Sequence, residues 1–277
     1  KLFNCCVALN KGKILGVIPK AYLPGYKEFY EPRWFSSAFE PYRDSINILG
    51  QNVKFSNKIL FCDKNNVHFV VGVEICEDLW TPVPPSSKLA LSGATVLCNL
   101  SASNVLAAKN EYRKELIKNQ SARCVSSYVY VSSGMGESTT DLVFDSDAMI
   151  CENGLVISES KRFLRESQII YGEIDVEKLA LERIKLNTFL NSSDDVEFVY
   201  FEGNADKLEL TRNIPKFPFI PEDKKSIDIR SEQIFKKFIF CRSTLNLIVE
   251  PSIWALTCSL LSLLRIFIND LAEDIIF

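Results

Sequence analysis

Cys76 is the residue of this sequence best placed to do covalent chemistry. It follows an apolar, β-branched run at residues 67–75, which predicts a buried strand, and two acids and a Trp come directly after it. Three prolines between positions 82 and 85 then end the strand and open a short helix. Open α/β sheets place reactive groups at such strand ends, where backbone N–H groups can face a developing oxyanion. The pattern therefore predicts a thiol nucleophile.

A competing interpretation is that Cys76 is an inert, buried cysteine, because the chain carries nine cysteines. A reactive thiolate needs a cation and a proton acceptor nearby. Lys20 closes the predicted strand at residues 14–18 and is the obvious cation, and the acceptor should be a carboxylate. The single histidine, His68, lies in the apolar run, so we expect it in the core. A Ser-His-Asp triad or a His-rich metal site is thereby nearly excluded.

Composition places the chain among globular proteins and limits its partners. Its 277 residues are 47% hydrophobic and 24% charged, enough to bury a core. The net charge of −3 argues against nucleic acid or an anionic membrane as a partner. The odd number of cysteines, without CxxC spacing or a secretory signal, predicts reduced thiols in the cytoplasm. The first residue is Lys within a strand already under way, so we expect a fragment that lacks its natural start.

Strand and helix patterns alternate along the chain and predict an α/β fold. Two hairpins, at residues 3–18 and 58–75, are expected to feed one mixed sheet. Further short strands are predicted at 142–144 and 168–174, and helices at 86–92, 109–126 and 175–185. Arg113 belongs to a charged helix face that we expect to be solvated.

The character of the sequence changes after residue 190. We expect one domain over residues 1–190 and a linker with a connecting helix over 191–240, since residues 214–221 are rich in proline. Residues 241–277 form an apolar tail. Its uncharged run is shorter than the ~20 residues that span a bilayer, which favours a buried or partner-facing helix.

Four segments together identify a family. They are residues 18–31 (IPKAYLPGYKEFYE), 74–80 (EICEDLW), 99–104 (NLSASN) and 136–144 (GESTTDLVF). In this order they strongly resemble the glutaminase domain of glutamine-dependent NAD synthetases, which belongs to the nitrilase (carbon–nitrogen hydrolase) superfamily. The resemblance covers roughly residues 1 to 240.

The resemblance implies a fold and a reaction. The fold is a nitrilase-like αββα four-layer sandwich. The reaction is hydrolysis of glutamine to glutamate and ammonia, which passes through a tunnel to a synthetase domain that amidates deamido-NAD. The implied partners are glutamine, a synthetase domain or subunit, and further copies of the chain. This domain itself should need no cofactor or metal, since ATP and Mg belong to the synthetase domain.

The resemblance also assigns catalytic roles. Cys76 matches the nucleophile that forms a thioester, and Lys20 matches the lysine that stabilises the thiolate and the oxyanion. Glu31 lies where a second, supporting carboxylate approaches the site. The backbone N–H of Glu77 is a candidate second oxyanion donor.

The resemblance assigns substrate binding to Glu77 and to three further residues, Tyr26, Ser103 and Lys109. Each of these three also has a plainer structural interpretation. Tyr26 would be a loop-packing aromatic, Ser103 a helix cap and Lys109 a solvated helix residue.

Two departures from the family pattern leave alternatives open. The family's triad glutamate should lie upstream of residue 1, and losing a general base costs ~10²–10⁴ in rate. Residues 241–277 contain no glycine, so they cannot form the Ser-Gly-Gly-x-Asp-Ser loop that binds pyrophosphate in the synthetase domain. The competing hypotheses are a catalytically impaired scaffold of the same family and a stand-alone nitrilase-type amidase with another substrate.

Overall fold

A computed structural model describes residues 1–40, 42–189, 195–204, 212, 220 and 223–243. The chain divides into two compact units, Lys1–Thr211 and Arg212–Phe277. The described part of the first contains two β-sheets and three α-helices. Of the second, the structure describes one long helix.

A small sheet is built from two hairpins. Its strands are β1 (Cys5–Asn10), β2 (Lys13–Pro19), β3 (Ser45–Ile48) and β4 (Gln51–Phe55), in the order β1-β2-β4-β3. Lys11 and Gly12 turn the first hairpin with φ of 46° and 78°, which is the backbone of a two-residue hairpin loop. β2 runs parallel to β4. The end of β2 delivers Lys20.

A larger sheet has seven strands in the order β10-β9-β8-β7-β6-β5-β11. They are β5 (Ile59–Asp63), β6 (Val70–Ile75), β7 (Val96–Ser101), β8 (Ser127–Ser132), β9 (Ala148–Glu152), β10 (Leu155–Glu159) and β11 (Glu197–Phe201). Strands β6, β7 and β8 are parallel neighbours. Their carboxyl ends therefore meet at one edge, where Cys76 and the segment around Ser103 emerge.

Helices α1 (Pro85–Leu91) and α2 (Lys109–Arg123) cover one face of the large sheet. The first unit also contains α3 (Val176–Ile184), and the second unit contains α4 (Lys224–Ser243). Leu89 of α1 and Ile117 of α2 pack with Leu97 and Tyr128 in the main core cluster. A Cβ added at Gly72 would lie 3.1 Å from Leu89, so β6 and α1 approach closely where glycine is present.

The other face of the large sheet packs on the small sheet. Ile18, Ile59, Phe61 and Val73 form the buried centre of this second cluster. The predicted α/β sandwich is thus confirmed. The two predicted hairpins do not feed one sheet, however, because β1 and β2 lie in the small sheet, whereas β5 and β6 lie in the large one.

Other sequence predictions also need correction. Residues 142–144 and 168–174 form no strand, and Ile169 and Tyr171 are exposed. His68 is exposed, because β6 begins only at Val70 and His68 belongs to the preceding turn, where its backbone N–H donates to Asn66 Oδ1 at 3.1 Å.

Arg113 is buried, not solvated. Its side chain is 1% exposed and pairs with Asp145 at 2.8 Å and Asp147 at 2.7 Å. Helical spacing puts Arg113 on the inner face of α2 with Ile117, and the two carboxylates compensate its desolvation. Because both acids lie more than 30 residues away in sequence, the helix pattern did not reveal them.

The domain boundary expected at residue 190 falls too early. β11 lies within the predicted linker and pairs in parallel with β5, matching Glu197 to Ile59 and Phe201 to Asp63. The first compact unit reaches Thr211. The connecting helix expected within residues 191–240 is α4, which begins after Asp223. Most of the proline-rich stretch and residues 244–277 lie outside the described residues. None of the described helices is long and apolar enough to cross a membrane.

Arg183 ties three segments of the first unit together. Its guanidinium donates to the carbonyl oxygens of Ala90 (3.3 Å), Ala94 (2.5 Å), Cys124 (2.9 Å) and Val125 (3.0 Å). Ala90 lies in the last turn of α1, Ala94 follows that helix, and Cys124 and Val125 follow α2. The C-terminal ends of helices favour a cation. Burial lowers the pKa of Arg183 to about 10.

We expect Arg183→Met to lower the free energy of unfolding by about 3 kcal/mol, because buried carbonyls would lose their donors. Urea denaturation measures this. Lys185→Met is the matched control, since Lys185 is the exposed C-cap residue of α3 and pairs with Glu182. Equal, small losses in both variants would contradict the role of Arg183.

Candidate active site

Cys76 lies where β6 ends and a short 3₁₀ helix, Cys76–Trp80, begins. Its φ of 48° lies in the left-handed region, which is uncommon for a residue with a side chain. The sharp turn leaves the side chain half-buried at the edge of the sheet. The N–H of Glu77 lies in the first helical turn, where N–H groups have no partner within the helix. It is thus available as an oxyanion donor.

Asp78 joins the Cys76 turn to the end of β2. Its buried carboxylate accepts the N–H of Ile75 at 2.9 Å, that of Tyr22 at 2.8 Å and that of Ala21 at 3.5 Å. Burial raises the pKa of Asp78 to about 6. Since Ala21 follows Lys20 and Ile75 precedes Cys76, one side chain holds the two predicted catalytic segments in register.

Lys20 is 1% exposed, so it needs a counter-charge. Glu31 supplies one: the Lys20 Nζ lies 2.7 Å from Glu31 Oε1 and 2.8 Å from Oε2. Glu31 opens a 3₁₀ turn, Glu31–Arg33, in the aromatic-rich loop. The structure therefore brings these two predicted residues into direct contact.

Cys76 lines two cavities. The first, which we call the lysine cavity, has a volume of about 280 Å³ and is also lined by Lys20, Glu31 and Ser101. The second, the aromatic cavity, has a volume of about 240 Å³ and contains the four predicted substrate-binding residues Tyr26, Glu77, Ser103 and Lys109. The six other predicted site residues thus all line a cavity that Cys76 also lines.

Tyr26 and Glu77 form one wall of the aromatic cavity. The Tyr26 hydroxyl donates to Glu77 Oε1 at 2.8 Å, and its ring meets Phe29 edge-on at 6.2 Å. Burial and the hydrogen bond to Glu77 raise the pKa of Tyr26 to about 12. Tyr26 therefore packs in the loop and also presents a polar group to the cavity.

Ser103 lines the aromatic cavity from the loop after β7. It is not the cap of α2, because that helix begins at Lys109 and its N-cap is Ala108. The Ser103 Oγ is buried and has no hydrogen-bond partner among the described residues. An unpaired hydroxyl at a cavity wall is ready to bind a ligand, since burying it unpaired costs free energy.

Lys109 is half-buried, and its ammonium lies inside the aromatic cavity. It donates to Asn104 Oδ1 at 2.6 Å and lies 5.3 Å from the Trp80 ring centroid and 5.9 Å from that of Phe29. Burial lowers its pKa. A cation at a helix N-terminus is otherwise unfavourable, so these contacts hold it in place.

Sequence reasoning did not single out Asn104, Glu28 and Trp80 as site residues. The Asn104 amide accepts from Lys109 and donates to Glu28 Oε1, so it connects α2 with the aromatic loop. All three residues lie inside segments that carry the family resemblance. Their positions gave a signal, but their contacts arise only in the folded chain.

Each cavity suits a different part of a reaction. The lysine cavity is lined by a thiol and by a cation that a carboxylate orients, a set that favours a thiolate and a developing oxyanion. The aromatic cavity offers two cations, Lys27 and Lys109, and two carboxylates, a set that complements the ammonium and carboxylate of a free amino acid.

No family model matches the chain, whereas individual proteins do. A glutamine-dependent NAD(+) synthetase from Mycobacterium tuberculosis is 39% identical over 237 residues, which cover 82% of this chain and 35% of that protein. One from Saccharomyces cerevisiae is 28% identical over 187 residues, covering 64% and 26%. The chain therefore spans about a third or less of the length of these curated relatives.

Solved structures give the same likeness. A glutamine-dependent NAD(+) synthetase from Cytophaga hutchinsonii is 26% identical with a TM-score of 0.50, covering 58% of this chain and 25% of that one. A carbon–nitrogen hydrolase from Helicobacter pylori G27 shares the fold, with a TM-score of 0.52 at 19% identity, covering 69% and 62%.

The two-sheet sandwich is the fold of the carbon–nitrogen hydrolase from Helicobacter pylori G27. With 39% identity over 82% of its length, the chain belongs to the family of the glutamine-dependent NAD(+) synthetases. The family predicted from four sequence segments is thereby confirmed. The roles of the individual site residues stay predictions.

Glu74 is a fully buried acid on β6, two residues before Cys76. Its Oε2 accepts the N–H of Ser86 at 2.8 Å, and its Oε1 accepts the hydroxyl of Tyr128. Burial raises the pKa of Glu74 to about 7 from an ordinary 4.5. Between a pH of about 4.5 and a pH of about 7, the folded state therefore keeps a proton on Glu74 that the unfolded chain has already released.

We expect the free energy of unfolding to fall as the pH rises from about 4.5 to about 7, because the folded state binds the extra proton over this range. Glu74→Gln should reduce this fall by roughly 3 kcal/mol at most. Urea denaturation across the pH range measures it, with Glu177→Gln on the exposed face of α3 as control. Identical slopes in wild type and Glu74→Gln would show that Glu74 does not titrate there.

Proposed function

We propose that this chain hydrolyses the side-chain amide of glutamine, using Cys76 as nucleophile, and supplies ammonia for NAD synthesis. The observation that carries the proposal is the position of Cys76 where two cavities meet. One holds Lys20 and Glu31, and the other holds groups suited to a free amino acid.

The substrate would bind in the aromatic cavity. The Lys109 ammonium pairs with the α-carboxylate, and the carboxylates of Glu77 and Glu28 lie on the side suited to the α-ammonium. The unpaired Ser103 hydroxyl binds a polar group of the substrate. The side-chain amide then points toward Cys76, which lines both cavities.

The reaction then proceeds at the Cys76 sulfur. The sulfur bonds to the amide carbon, and the oxyanion is stabilised by the Lys20 ammonium and the Glu77 N–H. The C–N bond breaks, and ammonia leaves with the proton that the thiol gave up. Water then cleaves the thioester, which yields glutamate and restores the thiol. Glu31 orients Lys20. It also lines the lysine cavity, which makes its carboxylate the candidate proton acceptor among the described residues.

The use of the ammonia is inferred from the relatives. Those relatives are named as glutamine-dependent NAD(+) synthetases and are about three times the length of the matched segment. We propose that a synthetase domain or subunit consumes the ammonia and that ATP and Mg act there. The glycine-free residues 241–277 are not assigned to it.

We expect Cys76→Ala and Lys20→Met to abolish ammonia release from L-glutamine by the purified chain. The first removes the nucleophile, and the second removes the cation that stabilises thiolate and oxyanion. A coupled glutamate dehydrogenase assay measures the ammonia. Lys118→Met is the control, since Lys118 is exposed on α2 and pairs with Glu115.

Unchanged release from Cys76→Ala would overturn the assignment of the nucleophile. A wild-type chain that releases no ammonia would favour the scaffold hypothesis. Release from other amides without preference for glutamine would favour a general amidase.

Lys109→Met tests the substrate orientation. We expect the KM for L-glutamine to rise roughly 10-fold or more, because a charge-assisted hydrogen bond to the α-carboxylate is lost. The same variant should discriminate less against glutamine α-amide, which has no carboxylate. If KM and this discrimination stay unchanged, Lys109 does not bind the substrate.

A further inference from the structure

The backbone of Cys76 needs support from outside its own turn. Its φ of 48° costs of the order of 1 kcal/mol or more for a residue with a Cβ, and such conformations persist only where the surroundings fix them. A small relaxation of this turn would move the sulfur relative to both cavities.

The side chain of Asn99, on the neighbouring strand β7, supplies that support. Its Oδ1 accepts the N–H of Cys76 at 3.1 Å, and its Nδ2 lies 3.4 Å from the Cys76 carbonyl oxygen. The carboxamide thus bonds to both polar groups of the Cys76 main chain, as a neighbouring strand would. Asn99 is opposite Glu74 in the β6–β7 ladder and is 1% exposed.

Two further buried residues fix which way the Asn99 amide faces. Its Nδ2 donates to the Tyr128 hydroxyl at 3.1 Å, and that hydroxyl donates to Glu74. When Glu74 is ionised, Tyr128 gives its one proton to that carboxylate, so the Tyr128 hydroxyl can only accept from Asn99. The Nδ2 must therefore face Tyr128, and Oδ1 must face the Cys76 N–H.

We infer that Glu74, Tyr128 and Asn99 form a positioning chain that fixes the backbone of the nucleophile. All three are at least nine-tenths buried, and none of them lines the lysine cavity or the aromatic cavity. They act through Cys76 and touch no substrate. Loss of the chain therefore affects the reactivity of the thiol and leaves substrate affinity alone.

The test is Asn99→Leu in the full chain, with two readouts. The first is the rate at which iodoacetamide alkylates Cys76, followed by peptide mass spectrometry so that other cysteines do not interfere. The second is ammonia release from L-glutamine. We expect the alkylation rate and kcat to fall about 10-fold or more, since small misplacements of a reacting atom have such effects. KM should change by less than about twofold, because the variant does not alter the residues that would bind the substrate.

Gln120→Leu is the matched control. Gln120 is a buried carboxamide of α2 that donates to Ser86 Oγ and Ser87 Oγ, both at 2.9 Å, and does not bond to Cys76. We expect a comparable loss of stability with unchanged alkylation of Cys76. If Asn99→Leu loses only stability, as the control does, or if its KM rises while kcat holds, the positioning chain is refuted.

Tyr128→Phe provides the second variant in case Asn99→Leu does not fold. It removes only the hydroxyl that orients Asn99, so we expect a smaller fall in the alkylation rate, in the same direction. An unchanged rate refutes the positioning chain.

The kcat readout rests on the proposed function, whereas the alkylation rate does not. A wild-type chain without ammonia release would refute glutamine hydrolysis, and the alkylation rates would still decide the role of Asn99.

Discussion

The carboxylate of Asp78 is the constraint on which the site depends. It accepts backbone N–H groups from Ala21 and Tyr22 on one side and from Ile75 on the other, and it is 2% exposed. The first two follow a strand of the small sheet, whereas the third ends a strand of the large sheet. The two sheets contact mainly through apolar side chains, which do not set a register at their edges. The buried carboxylate of Asp78 sets this register through its three directed hydrogen bonds. As a result, Lys20 and Cys76 line one cavity.

Charge in the site is distributed so that each buried ion has a partner. Lys20 is held by both oxygens of Glu31, and Lys109 by Asn104 and two aromatic rings. A cation fixed in this way cannot swing away when charge develops on a neighbour, which is the condition for electrostatic stabilisation without reorganisation. The same rule holds in the helical layer. Arg113 pairs there with Asp145 and Asp147, and Arg183 donates to backbone carbonyl oxygens.

The sequence predicted the parts of this site that depend on order along the chain. A strand, a cysteine, two acids and prolines indicated the Cys76 turn, and the four ordered segments gave the family and the α/β sandwich. Features set by long-range contacts were missed: the burial of Arg113 depends on acids of another segment, and β11 becomes a strand only beside β5. His68 was misplaced because the apolar pattern did not show that β6 begins at Val70. Asn99 belongs to the segment at residues 99–104 that indicated the family, yet its contact with the Cys76 main chain follows only from strand pairing.

The most direct measurement is a crystal structure of the chain after reaction with a diazoketone analogue of L-glutamine, which alkylates the thiol that attacks glutamine. We expect one adduct, on Cys76, with its carbonyl oxygen within hydrogen-bond reach of the Lys20 Nζ and its α-carboxylate beside Lys109. An adduct on another cysteine, or one whose carbonyl lies away from Lys20, would contradict the joint action of Cys76 and Lys20.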